Sequence, residues 1–564
     1  MPDDDTAVHF PGAKRPARQR WVTDHGLRLS VWEWGDEAAP PLLLAHGGFD
    51  FAGTYDGFAP LLADAGWRVV CWDQRGHGDS DHSVLYSWEA DVRDALAVLD
   101  STTRRPVPFV GHSKGGSVVM QLADALPNRC THLVNLDGLP SRRNWPDVPD
   151  HERRRLMAGE LRAWLDHRAE SSVKERTPGT IDELAQRRQR MNPRLTMEWL
   201  RYLVPIGAHR VDGANDLWRW KLDPILRFGG FGPWRPEWSM LRMPGLAMPV
   251  LGVLGLENET MAWGTQIDDV EPFLPPGAHF EALEDVGHFV HIEQPDKVAG
   301  LVLDFLGGPP ATGAGWGMVG PGTSAPGEAP REDSRDDSKA SSVPTRVLSR
   351  GRSRLVLHQL RAGDGRPLLL LHGLGERAPA EIPSYLDAWD GPIAALDFTG
   401  HGSSTIPHGG GYTAEVLLAD ADAALRVLGQ TTVLGRGLGA YVALLLAGAR
   451  PDLAFGTILF DGAGIHGGGN GPGSPLVSAV DAEALAPPDP FALVELARDL
   501  RPPDYATSFA RLATQASLLE QPIAVSAVNR PEWLEAVVRE PGVVALPLAA
   551  ALAMYRQLDT SAVS

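Results

Sequence analysis

Cysteine is nearly absent from this chain. Its 564 residues include two cysteines, Cys71 and Cys130, each in or beside an apolar, strand-like run. A disulfide framework or a cysteine-rich metal site needs more thiols at closer spacing. We therefore interpret both residues as free thiols in a reducing compartment, predict a cytoplasmic protein, and expect neither a metal nor a cofactor.

Positive charge and long apolar runs are also scarce. Lys and Arg number 52 against 71 Asp and Glu, which gives a formal net charge of -19. Such a balance disfavours nucleic acid and anionic membrane surfaces as partners. The first 20 residues are polar, unlike a signal peptide, and the apolar run at 543–554 contains Pro547 and is too short to span a bilayer. We expect no nucleic-acid or membrane partner.

Strand-like and helix-like segments alternate in the first half of the chain. Residues 41–45, 67–72, 106–110 and 132–136 are short apolar runs, and residues 87–99 follow a helical period. Alternation of this kind is typical of a mostly parallel sheet with helices on both faces. The sequence therefore predicts an α/β fold.

The run Gly-His-Ser-Lys-Gly at 111–115 follows one of these predicted strands. Its glycines permit a tight strand-to-helix turn that would hold Ser113 Oγ clear of the fold, at the carboxyl end of the sheet. The start of the next helix supplies free N–H groups and a partial positive charge where an oxyanion would form. This pattern predicts a nucleophilic serine.

Three further motifs accompany this turn in a fixed order. His-Gly-Gly follows the first buried strand at 46–48, Asp-Gln-Arg-Gly-His-Gly-Asp-Ser occupies 73–80, and Gly-His comes late at 287–288. With this set, residues 20–306 resemble the α/β-hydrolases, in particular the capped serine esterases. The resemblance implies a serine hydrolase that cleaves an ester, thioester, lactone or amide of a small apolar substrate through an acyl-enzyme. It also implies that His288 takes the proton of Ser113.

The carboxylate that orients His288 is left open by the sequence. The resemblance places it after the predicted strand at 249–254, where the commonest family spacing falls on Asn258. We expect Glu259, one residue further on, to serve, with Glu257 as an alternative. Asp137, which follows the preceding strand, is the other candidate, since some branches carry the acid there. Its simpler interpretation is an aspartate that merely ends a strand.

The resemblance also implies an oxyanion hole and a cap. The expected donors in the hole are the backbone N–H groups of Phe49 and Lys114. Residues 139–240 interrupt the sheet pattern with helical segments that carry seven tryptophans, and they resemble the helical cap of the family. These rings either pack within the cap or favour an apolar or aromatic substrate. We expect residues 218–224 to return the chain to the pocket rim.

Residues 307–343 separate two related halves. This segment is rich in Pro, Gly, Ser and charged residues, which predicts a disordered linker between an active domain at 1–306 and a second domain at 344–564. The motifs of the second half repeat those of the first, because His77 and His401, like Ser113 and Gly437, lie 324 positions apart. The chain is therefore predicted to be a tandem duplication.

The second copy lacks the groups that would carry the chemistry. Gly437 replaces the serine, and no histidine occurs after His466. We predict a degenerate α/β-hydrolase-like domain without nucleophile or base. It would be either a stabilising or dimerising appendage or a domain that binds ligand or docks over the first half.

Two other functions stay open at this point. One is an acyltransferase or cofactor-free haloperoxidase-type enzyme with the same triad, which transfer to added acceptor alcohols would reveal. The other is a ligand-binding or scaffold protein whose second domain is the working part, which tight binding without turnover would reveal. Epoxide hydrolases and haloalkane dehalogenases of the superfamily carry Asp at the turn, so Ser113 argues against those activities.

Overall fold

The computed structural model describes residues 9–140, 150–171, 174–213, 216–227, 236–259, 261–262, 264–310, 344–471, 473, 480 and 486–558. The predicted linker lies outside the described residues except for its first four, as do Trp145 and Trp234 of the predicted cap. Each half contains an eight-stranded sheet with helices packed on it. The predicted α/β fold class is therefore confirmed.

The first sheet is parallel except at one edge. Its strands are β1 Arg18–Asp24, β2 Leu27–Trp34, β3 Pro41–Ala45, β4 Arg68–Trp72, β5 Val107–His112, β6 Cys130–Leu136, β9 Val250–Gly255 and β10 His279–Leu283. They lie in the order β1-β2-β4-β3-β5-β6-β9-β10. Only β2 runs antiparallel to its neighbours, so the carboxyl ends of β3, β5, β6 and β9 meet at one edge.

Helices cover both faces of this sheet, and a separate group follows β6. The helices on the sheet are α1 Ala59–Asp64, α2 Trp88–Thr102, α3 Lys114–Ala125, α8 Ile267–Val270, α9 Val290–Glu293 and α10 Pro295–Leu306. The group after β6 consists of α4 Asp150–Glu170, α5 Ile181–Met191, α6 Met197–Gly207, the hairpin β7 Ala208–Arg210 and β8 Trp218–Trp220, and α7 Pro236–Arg242. Local chemistry sets several of the starts. For example, Ser87 caps α2, and Thr180 forms a capping box with Glu183 at α5.

The second half repeats the sheet strand for strand. Its strands are β11 Thr345–Arg350, β12 Ser353–Arg361, β13 Leu368–Leu371, β14 Ile393–Asp397, β15 Thr431–Arg436, β16 Ala454–Phe460, β17 Ile523–Val525 and β18 Val543–Ala545. Their order, β11-β12-β14-β13-β15-β16-β17-β18, is that of the first sheet. The helices are α11 Ala414–Leu428, α12 Leu438–Ala449, α13 Pro490–Ala497, α14 Pro503–Ala516, α15 Glu532–Val538 and α16 Leu548–Arg556. The apolar run at 543–554 divides into β18 and α16, and no helix in the described ranges is both long and apolar enough to cross a membrane.

Helix α4 joins the two halves. Leu161 and Leu165 are buried in the same hydrophobic cluster as residues of α11, α12 and α14. Asp166 of α4 forms ion pairs with Arg426 and Arg450 of the second half, at 2.5 and 2.7 Å. The first helix of the predicted cap therefore packs on the second sheet domain.

Candidate active site

Ser113 occupies a sharp turn between β5 and α3. Every residue of β5 is buried, and α3 begins directly after the serine. Ser113 has φ 52° and ψ -123°, which is a strained conformation for a residue with a side chain. A Cβ on Gly115 would lie 2.3 Å from the carbonyl oxygen of Ala45, so glycine is needed there for α3 to approach the sheet. The turn presents Ser113 at the carboxyl edge of the strands.

His288 follows β10 and contacts a carboxylate through its ring. Its Nδ1 lies 2.6 Å from Asp137 Oδ2, and both side chains are buried. Because a carboxylate accepts hydrogen bonds, this contact assigns the proton to Nδ1 and leaves Nε2 as the basic nitrogen. That tautomer is the one a general base for serine requires.

Asp137 lies directly after β6 and is held on both sides. Its φ is 47°, in the left-handed region that residues with side chains seldom adopt. Its second oxygen, Oδ1, accepts a hydrogen bond from the backbone N–H of Gly255 at 3.2 Å, at the end of β9. Asp137 thus does more than end a strand, because it connects the ends of two strands to the imidazole.

The preferred candidate, Glu259, takes a different position from the one we expected. Its Oε2 accepts a hydrogen bond from the backbone N–H of His288 at 2.7 Å, so it holds the loop and not the ring. Burial raises the pKa of Glu259. Glu257 is exposed, and its own backbone N–H donates to the Val286 carbonyl at 2.9 Å. The structure therefore brings Asp137 to the imidazole in place of either glutamate.

Phe49, expected in the oxyanion hole, also has its N–H directed elsewhere. With φ 65°, its N–H donates to His77 Nε2 at 3.2 Å. His77 Nδ1 in turn donates to the Arg75 carbonyl at 2.9 Å, and burial lowers the pKa of His77 far below its usual value, so the ring is neutral and accepts at Nε2. The hydrogen bond from the Phe49 N–H therefore stabilises the loop.

The second half identifies the N–H group that takes its place. Gly375 donates to His401 Nε2 at 3.3 Å, as Phe49 does to His77, so Leu374 is the counterpart of Gly48. The N–H groups of Leu374 and Leu438 both donate to one atom, the Ala463 carbonyl oxygen, at 3.0 and 2.9 Å. Two N–H groups at these positions therefore converge on a single oxygen.

By this correspondence the N–H groups at the same positions in the first half are those of Gly48 and Lys114. Leu438 follows Gly437 as Lys114 follows Ser113, so the predicted Lys114 position agrees with the geometry, while Phe49 is replaced by Gly48. Within the described ranges neither N–H has a hydrogen-bond acceptor. The Lys114 side chain points elsewhere, since its Nζ pairs with Asp91 at 2.7 Å.

The corresponding turn of the second half is closed. Gly437 has φ 55° and ψ -115°, close to the values of Ser113. A Cβ there would lie 2.1 Å from the Ala463 oxygen. The carboxylate of Asp461 accepts the backbone N–H groups of Val528 and Asn529, at 2.7 and 2.9 Å. Backbone thus fills the space that substrate would need.

Other histidines lie near Ser113 and His288 but are too weakly basic to act as the general base. Burial lowers the pKa of His46 and of His291 to about 3, so both rings are neutral at neutral pH. His112 Nε2 lies 2.9 Å from the carbonyl oxygen of His288 and supports its backbone. No cluster of three or more metal-binding side chains is found among the described residues.

Helix α5 and hairpin strand β8 provide one wall of the site. Arg188 of α5 pairs with the buried Asp50, and its guanidinium lies 5.9 Å from the ring of Phe51 and 5.7 Å from that of Trp220. Burial raises the pKa of Asp50, and the charges of Arg188 and His288 oppose the rise. Trp199, by contrast, stacks on Tyr202 at 5.2 Å and packs within the helical group. The wall next to the site thus consists of the aromatic rings of Phe51 and Trp220 with the guanidinium of Arg188 beside them.

Comparison with known proteins identifies the family of the first half. Residues 40–295 match the family described as alpha/beta hydrolase fold. The first half of the chain belongs to the α/β-hydrolase superfamily. It is 26% identical to the sn-1-specific diacylglycerol lipase ABHD11 of Mus musculus over 274 residues, 48% of this chain and 82% of that protein. It is also 26% identical to esterase YbfF of Escherichia coli (strain K12) over 270 residues, 47% of this chain and 92% of that protein. A solved thioesterase domain from the curacin biosynthetic pathway is 21% identical, with TM-score 0.43, and covers 51% of this chain and 99% of that one.

The family match and the relatives, which are named as a lipase and an esterase, indicate that this protein is a hydrolase. The duplication extends the fold, but not the catalytic side chains, to the second half. The sequence analysis did not single out Gly48, and it preferred Glu259 to Asp137, the carboxylate that contacts His288 in the structure. The internal repeat could have drawn attention to Asp137. Asp137 and Asp461 are also 324 positions apart, and each directly follows a strand.

Proposed function

We propose that the first half is a serine hydrolase that works through an acyl-enzyme. The observation that carries the proposal is the 2.6 Å contact of His288 Nδ1 with Asp137 Oδ2, in a fold that presents Ser113 at a nucleophile turn. Asp137 would hold the imidazole in the required tautomer and stabilise the imidazolium. Burial of all three side chains strengthens these charge interactions.

The reaction has two matched steps. Ser113 Oγ attacks the substrate carbonyl while His288 Nε2 takes its proton, and the resulting oxyanion is stabilised by the N–H groups of Gly48 and Lys114. His288 then gives this proton to the leaving group, which departs and leaves an acyl-serine. In the second step water attacks, again losing a proton to His288, and the acid product leaves as Ser113 regains its proton.

The substrate class follows from the wall beside the serine. Phe51 and Trp220 favour an apolar acyl group, and Arg188, already paired with Asp50, leaves little net charge there. We therefore propose an ester, thioester, lactone or amide with a small apolar acyl part. Product analysis with an added acceptor alcohol would separate hydrolysis from acyl transfer.

A fluorophosphonate probe tests the nucleophile directly. We expect stoichiometric labelling of the wild type and none of Ser113→Ala. Ser117→Ala is the matched control, because Ser117 lies one turn further along α3 and its Oγ contacts the Gly138 carbonyl at 3.3 Å. Folded wild-type protein that does not label, or a Ser113→Ala variant that does, would contradict the proposal.

A further inference from the structure

A cavity of about 610 Å³ lies where the two halves meet. It is bounded by residues 78–84 after β4, by residues 168, 171, 174–176 and 219–225 of the helical group, and by residues 350–352 at the turn between β11 and β12. None of Ser113, His288 and Asp137 lines it. The cavity is therefore separate from these three side chains, although Trp220 of the wall beside Ser113 also lines it. It is partly open to solvent, and the second half forms part of its wall.

The lining of this cavity is cationic, although the protein as a whole is acidic. Seven Lys and Arg side chains line it against three Asp and Glu, in a chain whose net charge is -19. Each of the three acids forms an ion pair with a cation of the lining. The pairs are Lys221–Asp79 at 2.6 Å, Arg219–Glu175 at 2.5 Å and Arg352–Asp223 at 2.6 Å. Lys174 also pairs with Glu170, and Arg350 with Asp420, so Arg168 and Arg176 are the two cations of the lining without an ion pair among the described residues.

Arg168 carries the clearest part of this excess. Its side chain is 7% exposed, and its Nε and Nη2 have no hydrogen-bond partner in the described part of the chain. The guanidinium lies 5.0 Å from the ring of Trp164, a contact that satisfies neither N–H. Burial and the nearby charge of Arg350 lower the pKa of Arg168 to about 9, so it still carries its charge at neutral pH. The charges of Asp420 and Asp223 oppose this fall in pKa. A buried guanidinium with two N–H groups that lack acceptors destabilises a fold unless something binds to them.

Arg350 brings a second guanidinium from the other half. It is also buried, and its Nε has no hydrogen-bond partner within the described ranges, while its Nη2 lies 2.5 Å from Asp420 Oδ1. Two planar guanidinium groups on one cavity match an oxyanion with several acceptor oxygens better than they match a halide. The apolar side chains of Trp220, Pro224 and Ile225 line the remainder and suit an organic body.

We propose that this cavity binds a small organic molecule bearing a dianionic oxyanion group, either a phosphate monoester or a pair of carboxylates, with Arg168 and Arg350 on the charged group. The site is incomplete without the second half, because Arg350, Gly351 and Arg352 all come from it. This gives the catalytically empty copy a binding role. The inference stands independently of the acyl-enzyme mechanism.

The test uses the full chain with inorganic phosphate and malonate as probes, each compared with sodium chloride at equal ionic strength. We expect saturable binding by calorimetry and a raised unfolding temperature for one or both probes, and the stronger of the two assigns phosphate or dicarboxylate chemistry. Arg168→Gln should weaken binding at least about 30-fold, as expected for loss of a buried charge partner. Arg346→Gln, on the exposed part of β11, is the matched control and should bind as the wild type does.

A second readout separates a ligand site from a structural arginine. Without probe, Arg168→Gln should unfold at the wild-type temperature or above, because it removes a buried charge two of whose N–H groups lack acceptors. Arg168→Lys, which keeps the charge but loses the planar fork, should bind more weakly than the wild type while remaining folded. The proposal is overturned if neither probe binds beyond the salt control, if Arg168→Gln binds undiminished, or if this variant unfolds at a lower temperature without probe.

Discussion

At the scale of single residues, Asp137 and Glu259 hold the same loop by different atoms. Asp137 accepts from the imidazole of His288 at 2.6 Å, and Glu259 accepts from the backbone N–H of the same residue at 2.7 Å. The first contact sets the tautomer and charge of the base, while the second sets where the loop lies. The two carboxylates therefore differ in which step of the reaction they can affect.

We expect Asp137→Asn to lower kcat by roughly 10⁴, because an amide in that place favours the wrong tautomer of the base. Glu259→Gln removes part of one hydrogen bond to the backbone and should cost on the order of tenfold or less. Steady-state kinetics on an ester accepted by the wild type compares the two directly. A larger loss in Glu259→Gln than in Asp137→Asn would reverse the assignment.

Ser113 and His288 could be located from sequence because their signals are local. The turn glycines stand within two residues of the serine, and Gly287 precedes the histidine. Asp137 is 151 positions from His288, so only the folded sheet, which brings the ends of β6 and β9 together, shows that they touch. The direction of the Phe49 N–H could not be seen from sequence for a related reason, since it depends on the φ of 65° at this residue.

At the scale of elements, the turn from β15 into α12 keeps the backbone of an active elbow without its side chain. Gly437 reproduces the dihedral angles of Ser113, and its N–H donates to Phe460 as that of Ser113 does to Leu136, each at 3.0 Å. The difference lies in residues 462–464, whose backbone occupies the space above the turn. Restoring the side chain alone therefore does not restore the site.

We expect Gly437→Ser to remain unlabelled by a fluorophosphonate when Ser113 is replaced by Ala. It should also destabilise the second half by about 1–3 kcal/mol or more, because the new Cβ meets backbone at positive φ. Gly429→Ser is the matched control, since Gly429 has φ 75° with nothing within 4 Å of a Cβ. Chemical unfolding gives the difference, and a labelled Gly437→Ser protein would show that the loop moves aside.

The antiparallel edge of the first sheet contains a buried charge network. Glu33 on β2 accepts from Arg20 on β1 at 2.7 Å and from Arg68 on β4 at 2.8 and 2.9 Å. Burial alone would raise the pKa of Glu33, but the hydrogen bonds from Arg68 and Arg20 outweigh it and lower the value to about 2. The three strands are thus joined through one ionised carboxylate.

This network predicts a pH dependence with a definite sign. A depressed folded-state pKa stabilises the fold above the unfolded value near 4.5, and the stabilisation, of order 3 kcal/mol, is lost as the pH falls toward about 2. Glu33→Gln should therefore show a smaller loss of unfolding free energy than the wild type as the pH is lowered from 5 to 3. Glu281→Gln, at an exposed site on β10, should follow the wild type, and equal slopes for all three proteins would refute the pKa assignment.

At the scale of the whole molecule, α4 makes the two halves one unit. Leu161 and Leu165 are buried against helices of the second half, and Arg93 of α2 reaches Glu495 at 2.8 Å with its guanidinium 4.3 Å from the ring of Phe491. A helix assigned from sequence to a cap over the serine thus provides part of the contact between domains.

Leu165→Ala tests this contact. The side chain is 1% exposed, and truncation of a buried leucine costs about 2–5 kcal/mol. We expect a lower unfolding temperature by calorimetry, with the loss shared by both halves. Leu241→Ala removes a leucine that is 61% exposed and should change little. A normal unfolding temperature in Leu165→Ala would mean that the halves are not coupled through α4.

The duplication itself could be predicted, because strand ends and turn glycines recur at a constant spacing. The packing of one copy on the other could not. Leu165 and the α12 residues of its hydrophobic cluster are more than 270 positions apart. The apolar pattern of a helix predicts which of its side chains are buried, but it does not predict which element they pack against.

The carbonyl of Ala463 has one more consequence. An enzyme that binds an oxyanion must keep two backbone N–H groups ready, and a buried donor without an acceptor costs about 1–3 kcal/mol. The second copy satisfies both donors through the Ala463 carbonyl of its own main chain, whereas the N–H groups of the half-buried Gly48 and Lys114 have no protein acceptor in the described ranges. The closed turn of the second copy is therefore stabilised by two hydrogen bonds that an open site would have to give up. To become active, the second copy would need a new path for the backbone at Gly462 and Ala463 as well as a serine and a histidine, and the loss of these two hydrogen bonds would oppose that change.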